Sequence, residues 1–424
     1  MRRIWLPFKV LRLKAFRAFG LRAYPINFTI SVTNKCNSRC KTCNIWRIYE
    51  EKPEIRVNEL SLDEYERIFE SIGGGNMYWV TLSGGEPFLR RDLVDIFAAL
   101  LERCSPRIVN IPTNATLPSV VERRVREMLE LTHENRSTVP TTPTLILNLS
   151  LDGIGAKHDE IRGFKGNFSR FMETYRRLIA LKEEFCGLKV GIHTVISVYN
   201  VHNLREIMQF VWKLGESGAG AAGAAGASDA AGGSAGDATD AAGAVGVCGV
   251  GGGGGVGAVD GHIFEVAEER DELLTVGSGI TPSTRELSEA LASVVEDVAK
   301  EYLKGDFLSR LTQAFRLEYY EVLRRVLEER RQVVPCFAGF ASCQISPYGD
   351  VWACCVLGSS SSFGNLRDAD YDFKSVWHSK QANEIRRKIK AGACYCPLAN
   401  ASYTNMLCHF PSAFRVLLRI LKSY

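Results

Sequence analysis

From residue 27 onward, short apolar runs alternate with stretches whose apolar positions recur at helical spacing. Asn27–Val32 (NFTISV), Met77–Leu82 (MYWVTL), Arg107–Ile111, Thr144–Leu151 (TLILNLSL), Lys189–Val195 and His262–Ala267 (HIFEVA) read as strands. Leu62–Ile72, Leu93–Arg103, Val120–Leu131, Arg170–Glu184 and Leu204–Leu214 read as amphipathic helices between them. Nearly continuous apolar strands separated by helices predict an α/β fold, a parallel sheet covered by helices on its outer face. Chemistry in such sheets gathers at the C-terminal ends of the strands. Two long helical patterns follow, near Thr284–Lys304 and Leu308–Arg331, before Pro335 opens a cysteine-rich C-terminal part.

One stretch breaks the alternation. Residues 215–261 hold 18 of the 38 glycines, most of the remainder being Ala, Ser, Asp and Val, with no aromatic residue. Such a segment cannot bury a core and reads as a flexible insertion; its glycines follow no strict triplet, which excludes collagen.

Composition adds limits. The 424 residues suffice for one large domain and a smaller one, and 46% hydrophobic with 24% charged residues is ordinary for a globular protein. A formal charge of +4 points to no nucleic-acid partner. No run of 18 apolar residues occurs, so no membrane span is predicted.

The thirteen cysteines are unevenly placed. Cys36, Cys40 and Cys43 fall within eight residues, and seven more (Cys336, Cys343, Cys354, Cys355, Cys394, Cys396, Cys408) crowd the last ninety. Cys104, Cys186 and Cys248 stand apart in the sequence. A secreted disulfide scaffold is short and evenly stapled, so this pattern fits reduced, metal-binding thiolates and a cytoplasmic location. Three thiolates on one tight loop can hold three irons of a cubane cluster and leave the fourth open to a ligand. A structural zinc site wants four ligands and paired spacing. The class competing with an enzyme is a non-catalytic zinc or iron–sulfur binding protein.

The segment TNKCNSRCKTCNIW, with Cys36-x3-Cys40-x2-Cys43, resembles the signature loop of the radical S-adenosylmethionine (radical SAM) superfamily. Ser83-Gly84-Gly85-Glu86-Pro87 follows the second strand, where that family carries its GGE motif. His158-Asp159-Glu160-Ile161-Arg162-Gly163 is similar to the H-D-x-x-R-G stretch of its peptide-modifying and cofactor-modifying branches. The resemblance implies a partial (β/α)6 TIM-type barrel, a [4Fe–4S] cluster on Cys36, Cys40 and Cys43, and SAM as cofactor. It places Gly84, Gly85, Glu86, Asn114, Ser150 and Arg162 at the SAM site, with the Glu86 carboxylate accepting from the ammonium of the methionine moiety. Thr42 departs from the pattern, since many members carry an aromatic residue there; Trp46 is the candidate substitute against the adenine. His193, on the fifth strand, is read as a core histidine, and no catalytic residue is assigned.

The C-terminal PCFAGFASCQISPYGDVWACC, with a hairpin signal at Tyr348-Gly349-Asp350, resembles the SPASM and Twitch extensions that hold auxiliary iron–sulfur clusters. Gly364–Leu366 and Val376-Trp377 also look like that extension. The full C-x2-C-x5-C-x3-C run is missing. The resemblance therefore implies one auxiliary [4Fe–4S] cluster on Cys336, Cys354, Cys394 and Cys396, with Cys343, Cys355 and Cys408 as alternates. A zinc knuckle is the competing reading of this part. The implied activity is reductive cleavage of SAM to a 5′-deoxyadenosyl radical that takes hydrogen from a peptide, small molecule or lipid-linked substrate. The implied redox partner is a ferredoxin or flavodoxin.

The expected division is a basic amphipathic leader (1–26), the core (27–305), a helical connector (306–334), the auxiliary-cluster part (335–410) and a basic amphipathic tail (411–424). Residues 1–22 carry seven Lys or Arg and no acid, interleaved with apolar residues. Either both ends pack on the barrel and close it, or they lie on an anionic inner-membrane surface.

Overall fold

The computed structural model describes residues 5–74, 76–134, 143–217, 259–301, 307–392 and 394–421. The stretch read as a flexible insertion therefore falls, over residues 218–258, outside the described residues.

Six strands, β1 (Asn27–Thr33), β2 (Trp79–Gly84), β3 (Ile108–Thr113), β4 (Thr144–Ser150), β5 (Leu188–Ile196) and β6 (Gly261–Val266), lie side by side in chain order. Each runs parallel to the next. The strand order places β6 at one edge of the sheet, so the barrel is partial and open, as the family resemblance implied. The other side of β1 is taken by β7 (Ser342–Ile345), parallel to it, then antiparallel β8 (Asp350–Trp352) and β9 (Ser362–Asn365). The C-terminal extension thus continues the barrel's own sheet, which has nine strands among the described residues.

Side-chain alternation sorts the two faces of the sheet. Phe28, Ile30 and Val32 of β1, Val80 and Leu82 of β2, and Leu145, Leu147 and Leu149 of β4 are fully buried. They form the helix-covered face of the sheet. Most alternate positions are polar: Asn148 Nδ2 donates to Asn110 Oδ1 (2.7 Å), and Asn110 Nδ2 to Thr81 Oγ1 (3.4 Å). On β5 the neighbour of Asn148 is Gly191, where a Cβ would stand 2.3 Å from Asn148 Oδ1.

Local signals place the covering helices. Ser61 and Glu64 form a reciprocal capping box that starts Leu62–Ile72, and Gly73 ends it with φ 73°. The basic leader forms the helix Trp5–Phe19, with Val10, Leu13 and Phe16 buried against the core. The tail forms Phe410–Leu421, whose Val416 and Ile420 pack on Ala314. Buried Arg386 ties leader to extension: its guanidinium lies 4.9 Å from the Phe16 ring and 4.4 Å from that of Trp377, and donates to the Trp377 carbonyl at 2.6 Å. Among the described residues, no helix is long and apolar enough to cross a membrane.

Candidate functional site

Cys36, Cys40 and Cys43 lie on the loop that leaves β1. Two distant segments clamp that loop backbone to backbone. Gly85 N–H donates to Thr33 O and Glu86 N–H to Lys35 O, both at 2.8 Å. A Cβ on Gly84 would stand 2.1 Å from Thr33 O, and one on Gly85 2.4 Å from Lys35 O. On the other side Lys41 N–H donates to Ile161 O (2.9 Å), and a Cβ on Gly163 would meet Arg39 O at 2.0 Å. The glycines of both motifs are therefore required by close approach to the cysteine loop.

The carboxylate of Glu86 has protein partners of its own. It is buried and accepts from Phe88 N–H (3.1 Å), Thr113 Oγ1 (3.0 Å) and Asn114 N–H (2.7 Å). Burial pushes it up to about 7 against those donors. With three protein donors it braces the ends of β2 and β3, and the motif meets the cavity through Gly84 and Gly85. Asn114 carries the bracing onward: its Nδ2 donates to Asn37 Oδ1 (2.7 Å) and Ser38 Oγ (3.0 Å) on the cysteine loop.

Arg162 supplies the positive charge. Its Nη1 pairs with Asp152 Oδ2 at 3.0 Å, and Asp152 Oδ1 accepts from Val195 N–H at 2.8 Å. The guanidinium acts electrostatically on Cys36, Cys40 and Cys43, while its buried Nε has no hydrogen-bond partner. Burial pushes the Cys36 and Cys43 thiols up to about 12, so without metal they hold their protons at neutral pH and iron must displace them. His158 is structural: burial lowers it to about 4, and its neutral Nδ1 accepts from Asp152 N–H (3.1 Å).

These groups line one cavity of about 220 Å³ at the C-terminal ends of the strands. Cys36, Cys40, Cys43, Gly84, Gly85, Asn114, Ser150 and Arg162 all contribute to its wall. Thr42 and Ile45 line it too. Trp46 does not take the aromatic place: its indole donates to Cys43 O (3.1 Å) and lies 5.0 Å from the Arg39 guanidinium. His193 also departs from the core reading, since it lines the cavity and its Nε2 sits 3.0 Å from Glu265 Oε2. Glu265, Glu268 and Arg270, at and beyond the end of β6, complete this far wall. Sequence reasoning missed them; the dense charges of HIFEVAEER directly after a strand were the available signal.

A second group forms in the extension. Cys336, Cys354, Cys394 and Cys396 line one small cavity together with Gln332 and Leu357. The β7–β8 hairpin turns at Gly349 (φ 91°) and brings Cys354 back toward Cys336. Three alternates lie elsewhere: Cys343 beside Arg386, Cys408 near Lys14, and Cys355 accepting from Arg270 Nη1 at 3.6 Å. Among the described residues no three His, Cys, Asp or Glu side chains converge tightly enough for a single metal ion.

The sequence model of the radical SAM superfamily matches residues 30–211, and that of the SPASM iron–sulfur cluster-binding domain matches residues 336–397. Fe-coproporphyrin III synthase of Methanosarcina barkeri is 29% identical over 168 residues, 39% of this chain and 36% of that protein. The sporulation killing factor maturation protein SkfB of Bacillus subtilis is 27% identical over 157 residues, 36% of this chain and 33% of that one. The alignments thus span about a third of these relatives. Streptococcus suis SuiB, solved with S-adenosylmethionine, superposes with a TM-score of 0.54 at 14% identity, covering 89% of this chain and 71% of its own. The fold is shared with these partial-barrel enzymes. Residues 30–211 thus form a radical SAM domain and residues 336–397 a SPASM domain, and these two domains imply a SAM-binding [4Fe–4S] cluster, SAM and auxiliary iron–sulfur.

Proposed function

We propose that this protein cleaves SAM reductively and uses the 5′-deoxyadenosyl radical to abstract hydrogen from a substrate seated at the far wall of the strand-end cavity. One observation carries this reading: three loop cysteines, two close-packed glycines and the Arg162 cation converge on a single cavity. Cys36, Cys40 and Cys43 hold the cluster, and Gly84, Gly85, Asn114, Ser150 and Arg162 surround SAM. When bound, the reduced cluster supplies the electron that breaks the carbon–sulfur bond of SAM. The chain's own part is positioning. Arg162 offsets thiolate charge, and the Glu86–Asn114 brace fixes the loop. His193, paired with Glu265, is the group able to move a proton at the substrate wall. An external one-electron donor of the ferredoxin or flavodoxin type provides the reducing equivalent.

The test is 5′-deoxyadenosine formation by anaerobically reconstituted protein with SAM and a strong reductant. Product that requires both supports the reading; SAM left intact by cluster-loaded protein, with and without candidate substrates, defeats it.

The four thiols of the extension are proposed as ligands of one auxiliary [4Fe–4S] cluster. Cys396→Ser is then expected to lower iron content by about four per chain. Cys408→Ser, at a thiol outside that cavity, is expected to leave iron unchanged. Equal iron in the two variants would remove Cys396 from the ligand set.

A further inference from the structure

The active-site reading does not use the outer faces of the first and last helices. Phe410–Leu421 is apolar on two sides. One stripe, Ser412, Val416 and Ile420, is buried against Ala314. The opposite stripe, Phe410, Phe414, Leu417, Leu418 and Leu421, is exposed, Phe414 by 59%. Those positions fall at i, i+4, i+7, i+8 and i+11, a single face of an α-helix. Trp5–Phe19 repeats the design. Val10, Leu13 and Phe16 face the core, whereas Phe8, Leu11 and Phe19 stand exposed, and exposed Leu21 follows. The two helices are neighbours: Lys14 Nζ lies 3.1 Å over the Phe410 ring. Among the described residues, fourteen large apolar side chains are exposed, and nine are those just named. A solvated surface has no reason to gather them on one side.

Charge identifies what fits there. Residues 1–22 carry seven Lys or Arg and residues 410–424 carry three, with no acid in either segment. Arg12 is exposed and shares the helix face of Phe8 and Phe19. The acid that answers Arg415 and Arg419 is Glu318, buried beneath them and absent from the outer surface. An apolar stripe with cations and no anions suits an interface of negatively charged headgroups over acyl chains.

We infer that the paired faces of Trp5–Phe19 and Phe410–Leu421 dock this protein on an anionic lipid bilayer. Apolar side chains enter the headgroup boundary while Lys and Arg pair with lipid phosphates, and the helices lie in the membrane plane without crossing it.

The experiment is co-sedimentation of the full chain with vesicles of phosphatidylcholine alone or with one-third phosphatidylglycerol (roughly the anionic content at which such surfaces bind). Expected are binding to the anionic vesicles only, weakening between about 0.1 and about 1 M salt as screening shortens from ~10 to ~3 Å, and at least about tenfold weaker binding by Phe414→Ser/Leu417→Ser/Leu418→Ser. Phe8→Ser/Leu11→Ser, on the other helix, is expected to weaken binding in the same direction and guards against a folding defect in the first variant. No binding to anionic vesicles, or undiminished binding by both variants, overturns the inference. So does light scattering that shows an oligomer of wild type which the triple variant dissolves, because the stripe would then be a contact between protein chains.

Discussion

Cys40→Ala is expected to yield a folded protein that binds about four fewer irons per chain and forms no detectable 5′-deoxyadenosine. Cys40 is the most enclosed of the three loop thiols, 8% exposed, and the loop has no other donor to take its place. Cys43 N–H donates to Cys40 O at 3.2 Å, so the backbone turn that presents the thiols persists when the sulfur is gone. The loss is therefore one of ligation and not of loop shape. Cys104→Ala is the matched control. That thiol is also buried, donates to Phe69 O at 3.3 Å and lies outside the cavity. It is expected to lose stability while keeping iron and product. Iron analysis and product chromatography on both variants check the pair, and retained turnover in Cys40→Ala would remove the loop from the reaction.

Asp152→Ala is expected to destabilise the metal-free protein by about 3–5 kcal/mol, the cost of stranding a buried charge whose partner has gone. The Asp152 side chain is fully buried and Arg162 is 11% exposed, and the substitution also orphans the N–H of Val195. The loss is expected to shrink once the cluster is loaded, because the thiolates then answer the Arg162 charge that Asp152 no longer does. Asp152→Asn keeps an acceptor for Val195 and falls between wild type and Ala. Urea unfolding of the metal-free and loaded forms measures the difference; equal losses in both would show that Arg162 takes no part in balancing the loop.

The barrel and its cysteine loop are legible in the residue order itself. Parallel strands buried on the helix side leave apolar runs that stand out against helical periodicity, so all six barrel strands begin within two residues of where the runs begin. The cysteine loop is legible because its ligands share one short segment. Less visible is whatever depends on pairing across long separations. Nothing in SCQI says that it lies beside β1, more than 300 residues away, since both are simply short apolar strands. His193 reads as core because which side of the sheet a strand residue faces is set by register, and one step reverses it. The bracing role of Glu86 is equally hidden, because its motif is local whereas its partners Thr113 and Asn114 arrive with the next strand.

The unbroken ladder from β6 to β9 has a mechanical consequence. Because β7 is bonded directly to β1, the cysteine loop and, through Cys336 and Cys354 beside the β7–β8 hairpin, the second group of thiols are anchored to one hydrogen-bonded plate, whose strands repeat every ~4.8 Å. Electron passage between their clusters would then cross a span set by covalent and ladder geometry, with no hinge to lengthen it. The same bonding makes the cysteine loop and the β7–β8 hairpin parts of one cooperative unit, so both are expected to unfold in a single calorimetric transition.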